Sequence, residues 1–186
     1  MRPLLSECAY RRRLKAIQPY LRGHVLDVGC GWTHLPSLLG PSQSYVGVDA
    51  DAAALGYGVQ CYPQHAFVCC DIDLQLLNLG DILFDTAVMM AVLEHLVSPE
   101  RVLKKVRSVL SPQGRLLLTT PSPAGNVIHV VGARLGLFCS ERVVRHVRIW
   151  RRRELERLLA ECGYRVVRFR YFVLGANQLI VCRLSG

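Results

Sequence analysis

The feature that most constrains this chain is a series of short apolar runs, each ending on glycine or aspartate. His24 to Val28 runs into Gly29-Cys30-Gly31, Tyr45 to Val48 into Asp49, and Ala66 to Cys70 into Asp71. Phe84 to Met90 and Arg115 to Thr120 are two more runs of strand length. Runs this short, rich in Val, Leu, Tyr and Phe, read as strands. Helical segments alternate with them. Residues 4–20 place Leu4, Cys8, Leu14, Ile17 and Leu21 near one face. A short helix follows the first strand, with Thr33 as N-cap and Pro36 near its first turn. Asp51 to Gly58 reads as another. Ser98-Pro99-Glu100 supplies a cap, a proline at N1 and an acid at N2 for a helix running to about Leu110, with Gly114 after it. Arg151 to Cys162 carries Leu155, Leu158, Leu159 and Cys162 on one face and stops at Gly163. Tyr164 to Phe172 and Gln178 to Leu184 then read as strands joined by a turn at Leu174-Gly175-Ala176-Asn177. Alternation that ends in a hairpin predicts an α/β fold whose sheet is mostly parallel with an antiparallel edge.

The 186 residues suit one domain, taken as 1–186, with residues 1–22 as an N-terminal cap and 121–150 as a substrate-side lid. Hydrophobic residues at 51% and charged residues at 20% allow a buried core and exclude disorder. Apolar residues in the N-terminal segment are spaced between arginines, unlike a secretory signal. The most apolar window, Val127 to Cys139, is too short for a membrane span and holds His129 and Arg134. A cytoplasmic location is the expectation. The eight cysteines form no CxxC pair and read as reduced core residues rather than a zinc site. The net charge of +9 points to an anionic partner, nucleic acid or a lipid surface. Yet 20 of the 23 basic residues are arginine, a bias that also follows from genome composition.

The glycine turn and the strand-end acids carry the chemistry. Glycines at 29 and 31 let backbone approach a ligand closely. They do so where open α/β sheets bind ligands. A dinucleotide-binding GxGxxG would need its third glycine at position 34, which is His34, so a nucleoside ligand without a pyrophosphate fits better. Asp49, twenty residues after Gly29, can accept from both ribose hydroxyls. Asp71 can accept from an exocyclic adenine amine, with a neighbouring backbone N–H available to a ring nitrogen.

VLDVGCG, YVGVDAD, CCDID, FDTAVMMAVLEHL and VLSPQGRLLLTTPSP resemble, in order and spacing, the class I S-adenosylmethionine-dependent methyltransferases over about residues 23–123. RRRELERLLAECGYRVVRFRYF resembles the late helix and strand of that family. The resemblance implies a Rossmann-like, doubly wound, seven-stranded, mostly parallel sheet with an antiparallel C-terminal hairpin. It implies S-adenosyl-L-methionine as cofactor and S-adenosyl-L-homocysteine as product. Asp27, Gly29, Cys30 and Gly31 would bound the methionine part, and Asp49 with Ala50 would hold the ribose. Asp71 with the Ile72 backbone would hold adenine, while Met89, Met90 and Ala91 would face the sulfonium. Leu93-Glu94-His95-Leu96 matches an LEHL-type segment of many small-molecule methyltransferases. One departure is Thr33, which stands where many members have a third glycine.

A sulfonium methyl is already activated, so such an enzyme mostly positions the nucleophile at about 3–3.5 Å and excludes water. His95 is a candidate general base or a packing residue after the fourth strand. His146, before the late helix, is a second candidate or a solvated loop residue. Ala91 replaces the first glutamate of a metal-binding ExxEH segment, so no metal dependence is expected. The apolar stretch in 121–150 followed by Arg142, Arg145 and Arg148 suits a lid, a lipid-linked acceptor or, less well, nucleic acid, because exposed aromatics are few. The expected acceptor is a small molecule, and the oligomeric state is open. The rival functions are a non-catalytic partner subunit of the same fold, a nicotinamide oxidoreductase and a nucleic-acid methyltransferase. The first has no need of Gly29, Gly31, Asp49 and Asp71. His34 argues against the second, and the third lacks an Asn-Pro-Pro-Tyr-type segment after the fourth strand.

Overall fold

A computed structural model of the chain describes residues 4–74, 79, 81–125 and 148–186. Helix α1 (Leu4–Ile17) passes through one turn of 3-10 helix into β1 (His24–Val28). A second 3-10 turn, Leu35–Leu38, leads to β2 (Ser44–Asp49), α2 (Ala52–Cys61) and β3 (Ala66–Cys69). Strand β4 (Phe84–Met90), a 3-10 turn at Leu93–His95, α3 (Pro99–Ser108) and β5 (Leu110–Pro121) follow. The chain closes with α4 (Arg152–Glu161), β6 (Tyr164–Phe172) and β7 (Asn177–Leu184).

The seven strands lie in the order β3-β2-β1-β4-β5-β7-β6. Pairings from β3 to β5 are parallel, whereas β7 runs antiparallel to both β5 and β6. The expected doubly wound sheet with an antiparallel C-terminal pair is therefore present. The alternation of side chains along each strand divides the core in two. Leu26, Val28, Met89, Leu116 and Leu118 face Val102, Leu103 and Val106 of α3 and Leu155, Leu158 and Leu159 of α4. Val25, Val88, Leu117, Leu179 and Val181 face Leu14, Ala16 and Ile17 of α1. Strand order reverses between β2-β1 and β4-β5, and the ligand crevice of such sheets lies at that point, beyond the carboxyl ends of the strands.

Several local expectations need revision. The segment 4–20 is an α-helix only to Ile17, because Pro19 lies in the 3-10 turn Gln18–Tyr20. The segment after the glycine turn is 3-10 rather than α, although Thr33 Oγ1 does accept from the Leu35 N–H at 3.0 Å. Strand β5 begins at Leu110, not Arg115, because Leu110 pairs with Phe84 directly after α3. The intervening residues form an irregularity in the register. Ser98 makes no side-chain cap to α3. Asp73, in the turn after β3, instead anchors the residues that lead into the helix: its Oδ2 accepts from the Val97 N–H at 2.7 Å and its Oδ1 from the Ser98 N–H at 3.1 Å. Lys105 Nζ donates to the Ile72 carbonyl at 3.1 Å, so the turn is tied to α3 twice.

This division of labour is measurable by urea unfolding. Asp73→Ala should lower stability by about 1–2 kcal/mol, the range of a lost cap. Ser98→Ala should stay within about 0.5 kcal/mol of the parent.

Candidate cofactor and acceptor site

The turn after β1 is built from two left-handed glycines. Gly29 has φ 68° and Gly31 φ 52°. The Gly29 and Cys30 N–H groups both donate to the Val48 carbonyl, at 2.8 and 3.1 Å, which folds the turn against the end of β2. A Cβ on Gly29 would stand 2.5 Å from Val92 Cγ2, so this backbone meets the loop after β4 with no room for a side chain. At Gly31 a Cβ would meet only Asp49 Oδ2, at 3.9 Å, so that glycine borders open space beside a carboxylate.

Asp49 ends β2 with both oxygens anchored. Oδ2 accepts from the Gly31 N–H at 2.7 Å and Oδ1 from the Asp51 N–H at 2.9 Å. An ionised carboxylate has about four acceptor positions, so two such bonds fix its orientation and leave capacity for hydroxyl donors. Ala50 beside it is exposed. Asp71 is half-buried just beyond β3. Its Oδ1 accepts from the N–H groups of Asp73 (3.0 Å) and Leu74 (3.3 Å). The Cys70 N–H donates to the Asp49 carbonyl at 2.9 Å, so the two acids are held on adjacent strand ends. Ile72 is buried.

Asp27 sits lower. It is 1% exposed, and its Oδ2 accepts from Tyr45 Oη at 2.9 Å and Thr33 Oγ1 at 3.2 Å. Its carboxyl therefore braces the turn from beneath. Burial raises its pKa from the ordinary 3.8 to about 7; the Tyr45 and Thr33 hydrogen bonds oppose that, and the Asp49 charge adds to it. Thr33, at the position of the missing glycine, supplies one of these bonds. The Cys30 side chain is also buried, and burial followed by the charges of Asp27 and Asp49 pushes its thiol far up. What Cys30 presents to the crevice is backbone. Met89 is likewise enclosed, on the α3–α4 side, while Met90 is half-buried on the α1 side. Ala91 follows in a left-handed conformation, φ 57°, with its N–H donated to the Thr119 carbonyl at 2.7 Å.

Helix α1 reaches this end of the sheet through Tyr10, whose hydroxyl accepts from the His34 N–H at 2.6 Å. Arg13 reaches it too, with Nε 3.0 Å from Asn177 Oδ1 at the start of β7. The sequence reading missed the polar group next to these contacts. Glu94 is 1% exposed; its Oε2 accepts from Thr120 Oγ1 at 3.0 Å, and its Oε1 is buried without a hydrogen bond. Thr119 Oγ1 and Gln178 Oε1, on β5 and β7, are also buried and unbonded. Burial raises the Glu94 pKa, and the charges of Arg13 and His95 pull it back in part. His95 is half-buried, in the same 3-10 turn as Glu94. The signal in the sequence was Glu94 itself, a glutamate in a short segment whose leucines, Leu93 and Leu96, both face the core. His146, along with Arg142 and Arg145, lies outside the described residues.

A surface cavity of about 590 Å3, lined by Glu100, Arg148, Trp150 and Arg153 among others, lies over α3 and α4. None of the strand-end acids or turn glycines lines it. The acceptor carboxylates and the turn glycines lie at the strand ends instead.

Residues 5–168 match the family described as methyltransferase domain. The chain belongs to that family. It is a class I S-adenosylmethionine-dependent methyltransferase domain. It is 33% identical over 116 residues to a ubiquinone biosynthesis O-methyltransferase of Coxiella burnetii, a match covering 58% of this chain and 49% of the relative. The matched stretch thus spans about half the length of the curated relatives. The magnesium protoporphyrin IX methyltransferase of Synechocystis PCC 6803, solved with bound SAH, superposes with a TM-score of 0.72. Its identity is 17%, and 96% of this chain and 84% of that one are covered. An S-adenosylmethionine-dependent methyltransferase of Clostridium acetobutylicum gives a TM-score of 0.72 at 13% identity, covering 95% and 92%. Among the described residues of this methyltransferase domain, no helix is long and apolar enough to cross a membrane.

The donor set suits the cofactor of the family. Open space beside Gly31 and two acceptor carboxylates on neighbouring strands match a ligand with ribose hydroxyls and an amine.

Because the Asp27 pKa is raised in the folded state, its protonated form is favoured by folding. Its stability contribution is full below about pH 4, falls as pH rises toward 7, and is flat above. Asp27→Asn should flatten that fall, whose slope for one group approaches roughly 1.4 kcal/mol per pH unit. Thermal unfolding of both proteins from pH 4 to 8 measures the difference.

Proposed function

We propose that this domain methylates a hydroxyl of a small-molecule acceptor, that Gly29, Gly31, Asp49, Ala50, Asp71 and the Ile72 backbone hold S-adenosylmethionine, and that Glu94 and His95 flank the acceptor. The observation that carries the reading is the Asp49 carboxylate, fixed by the Gly31 and Asp51 N–H groups directly above the glycine turn. The hydroxyl acceptor is supported by the O-methyltransferase relatives and by the buried, unbonded Glu94 oxygen.

When bound, the cofactor supplies a methyl group on a positively charged sulfur, an electrophile that needs no further activation. The chain's residues do the rest. Gly29 and Gly31 bring backbone to the methionine end without side-chain obstruction. Asp49 accepts from the ribose and Asp71 from the adenine amine, orienting the nucleoside across the ends of β1, β2 and β3. Asp27 braces the turn from below, and Cys30 and Met89 contribute backbone and packing. Met90 and Ala91 border the reacting region at the end of β4. Glu94, with one carboxyl oxygen bonded to Thr120 and the other buried without a hydrogen bond, is placed to accept a hydroxyl proton when ionised, which assigns it the base role, with His95 beside it in the same turn. His146 is a second candidate base.

The cofactor assignment is tested by calorimetric titration with S-adenosylhomocysteine, next to Asp49→Ala and an NADH control. Binding to the parent, at least tenfold weaker in Asp49→Ala and absent for NADH, is the expected result. No binding by folded parent protein would favour the partner-subunit reading. With a phenolic acceptor in hand, Glu94→Gln should lower kcat by roughly 10²–10⁴ while leaving S-adenosylhomocysteine binding intact. His95→Ala should shift the pH profile of kcat downward in rate and upward in apparent pKa, since a positive neighbour is lost. Unchanged turnover in both would remove the base assignment.

A further inference from the structure

The end of the sheet remote from Asp49 and Asp71 carries a second polar arrangement. Pairing between strands sets Arg115 of β5 beside Thr86 of β4, Arg183 of β7 beside Arg115, and Arg165 of β6 beside Arg183. Residues paired in this way share one face of the sheet. The face is that of α1, because Leu117 and Val181, two residues along from Arg115 and Arg183, belong to the core on that side. Arg22 completes the row. Its N–H donates to Thr86 Oγ1 at 3.1 Å, and its carbonyl accepts from the same hydroxyl at 2.9 Å. Three arginines thus lie in line across β5, β7 and β6, and Arg22, just before β1, extends the line beside Thr86 of β4. At about 4.8 Å per strand the line is roughly 14 Å long.

Among the described residues, no ion pair neutralises this line. Like charges directly opposite one another destabilise a sheet. Among the described residues, no carboxylate forms an ion pair with any of the four; the pairs present are Arg11–Glu7 and Arg152–Glu156. Asp85 acts on Arg115 from a distance, but its oxygens accept from the His24 N–H (3.0 Å) and Ser111 Oγ (3.3 Å). Arg115 Nε is buried and donates to nothing. Burial, then the charges of Arg22 and Arg183, lower the Arg115 pKa, which places the three guanidinium groups within electrostatic reach of one another. Arg22, Arg165 and Arg183 are exposed. Arg168 and Arg170 continue the same face along β6, where Arg168 lies over the Tyr20 ring.

We propose that the row Arg22–Arg115–Arg183–Arg165 is a binding site for a phosphate-bearing oxyanion, separate from the strand-end crevice. Guanidinium groups bind phosphate oxygens bidentately, and a row of this length matches several linked or neighbouring phosphates better than one. A soluble polyphosphorylated compound and the headgroups of an anionic lipid share that chemistry.

The test uses the full chain at low salt. Tripolyphosphate and inorganic phosphate are titrated calorimetrically, and phosphatidylglycerol vesicles are used in a sedimentation assay. The variants are Arg165→Gln, the double variant Arg165→Gln/Arg183→Gln, and Arg152→Gln/Arg153→Gln as a charge-matched control. In the control, Arg152 lies over Phe169, which packs on the opposite core. Tripolyphosphate should bind more tightly than phosphate. The double variant should weaken it at least tenfold and Arg165→Gln alone about threefold, with the control unchanged and S-adenosylhomocysteine binding retained throughout. Vesicle binding lost in the same double variant would assign the headgroup source; its absence beside tripolyphosphate binding would assign the soluble one. No binding of any probe by the parent, or equal weakening in the control, would overturn the proposal.

Discussion

The Asp27 carboxyl joins three elements of the chain at one point. It lies on β1, inside the sheet, and the hydroxyls it engages come from Thr33, beyond the glycine turn, and from Tyr45 on the neighbouring strand. The rest of what holds the turn of Gly29 and Gly31 is backbone donation: two N–H groups to the Val48 carbonyl and the Gly31 N–H to Asp49. The clamp is costly in electrostatic terms, since a carboxyl so enclosed resists ionisation. It persists because the two hydroxyl donors satisfy it and because Tyr45 fills the core beside β1 in doing so. The position of Asp49, and hence the geometry of the crevice, follows from the turn it holds.

Much of the fold was legible because its signals are local. Apolar runs of strand length, Pro99 at a helix start and Gly163 at a helix stop each act within a few residues, and the strands and helices they imply are present. Signals that depend on partners far along the chain were misread. Ser98 looked like a cap, but its side chain makes no cap bond, and its N–H is held by Asp73 from 25 residues away. Leu110 looked like the end of a helix, but Phe84 draws it into the sheet. Thr33 looked like a departure from a glycine motif, whereas its hydroxyl is one of the two donors that make a buried Asp27 tenable.

The candidate site was legible to different depths. The turn and the strand-end acids stood out because strand ends in an open sheet are where ligands gather. The side-chain directions at Met89 and Cys30 were not readable, since a period-two pattern assigns faces but not which of two buried faces is which. The polar group around Glu94 was hidden for the same reason: Thr120 and Gln178 sit in apolar strands as ordinary alternation, and only the register of β5 with β7 brings them level with Glu94.

The position of β7 has a consequence for how the molecule comes together. Synthesis delivers β6 before β7, yet β7 lies between β6 and the rest of the sheet. The five strands from β3 to β5 can pair as soon as they emerge, all through parallel crossovers. Strand β6 cannot dock onto β5, because its place beside that strand belongs to a segment not yet made. The α4 helix can cover the sheet before then, but β6 gains its place in the sheet only once β7 has been made, and β7 takes a neighbour on each side.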